Sequence, residues 1–209
     1  MDSRDHGQID LVSWDLDGTL YDPKAMRQAV ARRIAVAVAT GQWASARAAG
    51  RALRQHKATD RRVRSAGGGV DPEALSFWTG PLWAAFMKDF MLPSLKAIGP
   101  FPEVVSLLDE IAASGRRQIV VSDFDGADKL AALGLTDRFS EVFSGLRIGA
   151  LKPHPVVMST VLGRLDVRAE RVLHVGDRID TDIAAAEQVG MASVLVDGRF
   201  EGVRSALSL

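Results

Sequence analysis

Leu11-Val12-Ser13-Trp14-Asp15-Leu16-Asp17-Gly18-Thr19-Leu20 is the stretch from which the rest of the chain is read. Ile9 to Trp14 is short, mostly apolar and partly β-branched, the pattern of a buried strand, and Gly18 has the backbone freedom for the turn that stops it. Two carboxylates therefore stand at a strand's C-terminal end. In an α/β sheet ligands bind there, because loops leave the strand ends and helix N-termini converge on them. Asp15 and Asp17 are separated by one residue, so an extended backbone points both to the same side. Anions so placed repel, and one keeps its proton unless a cation lies between or beside them. Magnesium suits, since hard divalent cations take carboxylate and carbonyl oxygens. The same letters also fit plain turn chemistry at Asp17-Gly18, with Asp15 a helix cap or a solvated acid.

Beyond this stretch, 209 residues can bury a core and hold one domain, or one domain carrying a smaller insert. Lys and Arg balance Asp and Glu at 26 each. With no net charge, nothing global argues for nucleic acid or an anionic membrane as a partner. The distribution is uneven, with eleven basic residues and one acid, Asp60, between Lys24 and Arg64. The absence of cysteine removes disulfides, thiolate metal sites and a cysteine nucleophile. Met1 to Gly7 lacks the apolar run of a signal peptide and no segment reaches membrane-spanning length, so a soluble, cytoplasmic protein is expected.

Asp22-Pro23 suits a cap and first turn, and Met26, Val30, Ile34, Ala37 and Val38 recur at helical spacing until Gly41. A second helix is expected over residues 42–56, with Arg47, Arg51 and Arg54 on one stripe and Ala46, Ala49, Gly50 and Leu53 on a smaller-residue face. The arginine stripe either faces water or overhangs the acidic strand ends. Thr59 to Val70 is polar, closes with Gly67-Gly68-Gly69 and reads as a flexible loop. A third helical stretch starts at Asp71-Pro72, breaks at Gly80-Pro81 and resumes through Phe90. Trp43, Trp78 and Trp83 fall in this block, where aromatics are usually core.

After Gly99-Pro100 the character changes. Pro102 to Ser114 reads as a helix, 118–122 as a buried strand, and Asp125 as the cap of a helix running to Leu133. A short strand at 141–143, a helix at 155–165, a strand at 171–175, a helix at 181–189 and a strand at 192–196 complete the chain. Strands alternating with helices predict an α/β fold with a doubly wound parallel, Rossmann-like sheet. The predicted organisation is a catalytic core of residues 1–22 and 98–209, with an inserted all-helical cap at 23–97.

Three strands end in polar residues: Asp15 and Asp17, then Ser122-Asp123, then Gly176-Asp177. Lys152, in Leu151-Lys152-Pro153, follows the third strand. An ammonium among carboxylates balances charge and can hold a phosphoryl oxygen. Ser122 and helix-terminal amides offer neutral donors for the same purpose. The group has what phosphoryl transfer needs: a carboxylate nucleophile, an adjacent acid/base, a metal site and cationic clamps.

These residues resemble the haloacid dehalogenase superfamily of phosphohydrolases. Asp15 to Leu20 looks like its first motif, Ser122 its second, Lys152-Pro153 its third, and Gly176-Asp177 through Asp182 its fourth. The insertion is similar to the helical cap that one subfamily places after the first strand. The resemblance implies that Asp15 attacks phosphorus, and that Asp17 protonates the leaving oxygen and then activates water. It implies a magnesium ion held by Asp15, the Asp17 carbonyl and Asp177, with Asp182 in support. Ser122, Asp123 and Lys152 would bind the phosphoryl group. Asp123 departs from the pattern, which often has Asn or Gly there; facing inward its charge repels phosphate, and facing outward only its amide can donate. The implied protein is a magnesium-dependent phosphatase of a small phosphorylated metabolite, a monomer or homodimer without nucleic-acid or membrane partners. A sugar-phosphate mutase uses the same motifs, and a retired scaffold kept for binding would be expected to have lost Asp15 or Asp17. A dehalogenase would lack Asp17.

Overall fold

The computed structural model describes residues 9–209, so the N-terminal segment read above for a signal peptide lies outside the described residues. Five parallel strands, β1 (Leu11–Trp14), β2 (Arg117–Ser122), β3 (Glu141–Ser144), β4 (Val172–Gly176) and β5 (Ala192–Leu195), lie in the order β3-β2-β1-β4-β5. All four residues of β1 are buried, as expected of a central strand covered on both faces. Alternation divides its side chains. Val12 and Trp14 pack with Val120, Leu107 and Val203 on one face, whereas Leu11 packs with Ile119, Val121, Val157 and Ala185 on the other. The chain leaves β1 for neighbours on opposite sides, β2 and β4. That reversal opens a crevice at the strands' C-terminal ends, which is where Asp15 and Asp17 stand.

From β1 to Ile98 the regular elements among the described residues are helical: α1 (Pro23–Ala39), α2 (Trp43–Ser65), α3 (Pro72–Trp78), α4 (Pro81–Phe86), a π-helical turn (Met87–Met91) and α5 (Leu92–Ile98). Asp22 caps α1 by accepting from the Lys24 amide at 2.7 Å. The core resumes with α6 (Pro102–Ala113), α7 (Ala127–Leu133), α8 (Gly145–Ile148) and α9 (Val156–Leu165). A second π-helical turn (Ile179–Ile183) leads into α10 (Ala184–Gln188), where a single α-helix was expected, and α11 (Glu201–Leu207) closes the chain.

Two expectations about the insertion are corrected. Helix α2 does not stop at His56 but continues to Ser65, because Thr59 and Val63 are buried and Asp60 pairs with Arg64 one turn on. Arg62 and Arg64 in its last turn also suit the negative end of the helix dipole. Nor is the glycine segment a free loop: Leu151 donates its amide to the Gly68 carbonyl at 2.8 Å, and Val70 donates to the Gly149 carbonyl at 2.8 Å. Gly68 has φ +90°, and a Cβ there would come within 2.9 Å of the Leu151 carbonyl oxygen; only glycine permits this approach. Trp78 is buried as expected, but Trp43 is 54% exposed. Asp125 pairs with Arg147 instead of capping α7, which begins after Gly126 without a side-chain cap.

Candidate active site

Asp15 leaves β1 with its amide bonded to the Val175 carbonyl at 2.8 Å, which fixes it between β1 and β4. Lys152 is buried and its ammonium reaches Asp15 Oδ1 at 2.6 Å, Asp182 Oδ1 at 2.7 Å and the Val121 carbonyl at 3.0 Å. The loops after β1, β2, β3 and β4 thus meet at one lysine. Asp15, Asp177 and Asp182 each bring a carboxylate oxygen within 4.8 Å of the others. Gly18, at φ +102°, lets the turn lie against the Asp177 carboxylate, where a Cβ would overlap it.

The charges at this edge are not independently stable. Burial, with the Asp182 and Asp17 charges adding, pushes the Asp15 carboxyl up to about 8 against the pull of Lys152. Burial and Asp182 push Asp177 up to about 6. Burial opposes the charge of Lys152, but Asp15 and Asp182 outweigh it and hold the ammonium well above the ordinary lysine value. Asp182 is likewise held ionised, Lys152 overcoming its burial. Two carboxyls raised beside a third, with Asp177 Oδ1 buried and without a hydrogen-bond partner among the described residues, are a donor set for one hard divalent cation. Asp15, Asp177 and Asp182 therefore fit the implied magnesium.

Asp17 lies in a different field. Burial again opposes its charge, but Lys129 contacts both oxygens, at 2.7 and 2.5 Å, and Tyr21 donates its hydroxyl, so the carboxyl is held below the ordinary aspartate range. Two carboxylates two residues apart are thus driven in opposite directions, Asp15 toward its neutral form and Asp17 toward its charged form.

Ser122 is buried and its Oγ has no partner among the described residues, but it does not line the cavity that holds Asp15 and Asp177. Asp123 answers the question its sequence position raised. Its carboxylate accepts from the Lys152 amide at 2.8 Å and from Arg64 at 2.7 Å. Its charge is met by these partners, and the side chain ties the β2 loop to the Lys152 loop. His174, on β4 behind Lys152, bonds Ser13 at 3.0 Å, and burial with the nearby Lys152 charge lowers its imidazole to about 3. It is a neutral core residue.

Sequence reasoning missed Lys129, Arg64 and Tyr21. Tyr21 is the only tyrosine of the chain and sits four residues after Asp17, a signal that was available. Arg64 was concealed by placing the end of α2 too early. The arginines of the expected stripe, Arg47, Arg51 and Arg54, are exposed and do not line the catalytic cavity; Arg64 and Arg178 do. That cavity, about 240 Å³, runs from Asp15 and Asp177 to an aromatic end made by His56, Trp83 and Phe124. His56 stacks on Trp83 at 4.7 Å between centroids and accepts from Trp78 Nε1 at 3.1 Å.

Comparison with known proteins agrees with this geometry. A family model described as a haloacid dehalogenase-like hydrolase matches residues 9–190. The glyceraldehyde 3-phosphate phosphatase of Methanocaldococcus jannaschii is 32% identical over 106 residues, 49% of this chain and 46% of that protein. The phosphoglycolate phosphatase of Pectobacterium atrosepticum is 38% identical over 97 residues, 45% of this chain and 41% of that protein. The chain thus spans about half the length of the curated relatives it matches, or less. A Bacillus subtilis structure, the HAD-hydrolase YfnB bound to magnesium, superposes with a TM-score of 0.68 at 15% identity, covering 97% of this chain and all of that one; it shares the fold.

Proposed function

We propose that this chain, which belongs to the haloacid dehalogenase-like hydrolase family, is a magnesium-dependent phosphohydrolase acting on a small phosphorylated molecule through an aspartyl phosphate at Asp15. The observation that carries the reading is the division of the two neighbouring carboxylates: Asp15 sits in a cluster that calls for a cation, and Asp17 is held ionised by Lys129 and Tyr21. We read residues 23–97 as a cap over a core of 1–22 and 98–209, supported by Arg64 of α2, which reaches Asp123 of the core.

In the first half-reaction an oxygen of Asp15 bonds to phosphorus and the bond to the leaving oxygen breaks. With a second ionisation near pH 6, a phosphate monoester near neutrality is mostly the dianion, and the monoanion, about a tenth of it, is the form that brings the proton the leaving oxygen needs. Asp17 passes that proton to the leaving oxygen, which departs as an alcohol. In the second half-reaction water bonds to phosphorus, Asp17 takes its proton and the bond to Asp15 breaks, leaving phosphate. Lys152 holds Asp15 in place and grips the phosphoryl oxygens. Asp15, Asp177 and the Asp17 carbonyl, with Asp182 beside them, would hold a magnesium ion that, when bound, neutralises the carboxylates and the phosphoryl charge.

The test is phosphate release from a panel of monoesters that includes phosphoglycolate and glyceraldehyde 3-phosphate, with magnesium, with chelator, and with Asp15→Asn. Release that needs both the metal and Asp15 is expected. An absence of release from every ester would turn the reading toward a binding protein on this fold.

A further inference from the structure

The catalytic cavity does not end at its aromatic wall. Met26, His56, Trp83 and Met91 also line a second cavity of about 370 Å³, whose floor is Val30, Ile34, Leu53 and Phe86. Ile34 and Arg54 in turn line a third space of about 610 Å³, which continues along Val38 and Gly50 to the exposed Trp43. The three are neighbours along one groove between α1 and α2. From Lys57 to Trp43 the groove follows fourteen positions of α2, about 21 Å at the helical rise. Its floor is apolar, and its rim is cationic: Arg27, Arg54 and Lys57, then Arg47 and Arg51. Among the described residues no acid lines either outer cavity.

We propose that this groove receives the leaving group, and that the substrate is an amphiphilic phosphate monoester whose alcohol half is a long apolar chain. The assignment rests on the phosphohydrolase reading and gives that site a substrate class. Three observations select this occupant over a partner protein or a second copy of the chain. The groove shares Met26, His56, Trp83 and Met91 with the cavity that holds the carboxylates. Met26, Val30, Ile34, Leu53 and Phe86 form a strip of aliphatic and aromatic surface that a sugar or a short hydroxy acid would leave unfilled. The unopposed basic rim draws an anionic head toward the crevice while the floor takes the chain. The arginine stripe thus attracts substrate along the groove without touching the reacting phosphate.

The experiment uses n-alkyl phosphates from ethyl to dodecyl, below their micelle-forming concentrations, with magnesium. kcat/KM is expected to rise about two- to fourfold per methylene as each enters the groove, up to dodecyl, whose extended chain of about 15 Å is shorter than the groove. Ala31→Trp narrows the middle of the groove from an exposed position that lines it. It should cut turnover of octyl and dodecyl phosphate about tenfold or more and leave ethyl phosphate unchanged. Gly50→Leu fills the outer end; a Cβ there meets only Arg54 Nη1, at 3.4 Å, and helix propensity improves. It should affect dodecyl phosphate alone. Hydrolysis of ethyl phosphate with no dependence on chain length overturns the groove and leaves the phosphatase reading standing. If no ester is hydrolysed, the phosphatase reading fails, and dodecylphosphonate binding followed by the fluorescence of Trp43 and Trp83 decides the groove alone. Binding weakened by Ala31→Trp sustains it, and no binding, or loss of self-association as the only effect of that variant, overturns it.

Discussion

Lys129 Nζ lies 2.7 and 2.5 Å from the two carboxylate oxygens of Asp17, and the lysine is buried while Asp17 remains one-third exposed. A lysine so placed fixes the rotamer of the acid/base and keeps it ionised until a proton arrives with the substrate. Replacing it with Met should therefore lower kcat about 10²-fold, the lower end of what acid/base catalysis contributes, with little change in KM. Lys129→Arg should recover part of the loss. Steady-state kinetics beside thermal unfolding separate this from simple destabilisation, and a loss confined to KM would reassign Lys129 to substrate binding.

Asp15→Asn should abolish phosphate release without lowering the melting temperature. Lys152 keeps Asp182 as its ion partner at 2.7 Å, and the amide removes a carboxyl whose burial opposes its charge. Residual turnover at the wild-type rate would place the nucleophile elsewhere.

Metal binding should depend on pH with a definite sign. Asp15 is raised from 3.8 to about 8 and Asp177 to about 6. Without metal the folded state therefore holds more protons than the unfolded chain, and stability present below pH 3.8 is lost as pH rises toward 8. A divalent cation displaces those protons, so its affinity should increase over the same window. Melting temperatures in chelator are expected to fall between pH 6 and 8, while the gain on adding magnesium grows. An equal gain at both pH values would remove Asp15 and Asp177 from the ligand set.

The strands and their polar ends were legible because β1, β2 and β4 are covered on both faces, so burial writes itself into the sequence as unbroken runs such as Gln118 to Val121. The polar residues after β1, β2 and β4 were legible because each stands next to such a run, whereas Lys152 follows the half-exposed β3 and α8. The end of α2 was not, since only Thr59 and Val63 of its last two turns touch the core and the other letters are those of a loop. Lys129 was hidden for another reason. Nothing in Ala127–Leu133 says that its one lysine is buried, because the cause is Asp17, 112 residues away in sequence. The direction of Asp123 likewise depended on Arg64, which arrives from the insertion.

Arg64 is a charged side chain of the helical segment 23–97 that reaches the loops after β2 and β3. Its guanidinium holds Asp60 of its own helix at 3.0 Å, Asp123 at 2.7 Å and the Lys152 carbonyl at 2.5 Å. One residue type can do this, because only arginine has a planar fork with donors enough for three acceptors in different directions. The glycine segment that follows in sequence is bonded to the same Lys152 loop through Gly68, so Arg64 and Gly68 together fix where Lys152 sits. Arg64→Met should leave Asp123 partly buried without its partner, at a cost of about 1–3 kcal/mol. It should also lower kcat/KM about tenfold by loosening the loop that carries Lys152. Arg64→Lys should restore little, since an ammonium cannot span the three acceptors. Arg62→Gln, two residues earlier, supplies the control: its pairs with Asp71 and Glu73 are on the exposed side of the helix and should contribute little. Equal effects of the Arg62 and Arg64 substitutions on kcat/KM would reduce Arg64 to general support of the insertion, whereas a loss specific to Arg64, unrelieved by Lys, assigns it to the alignment of Lys152.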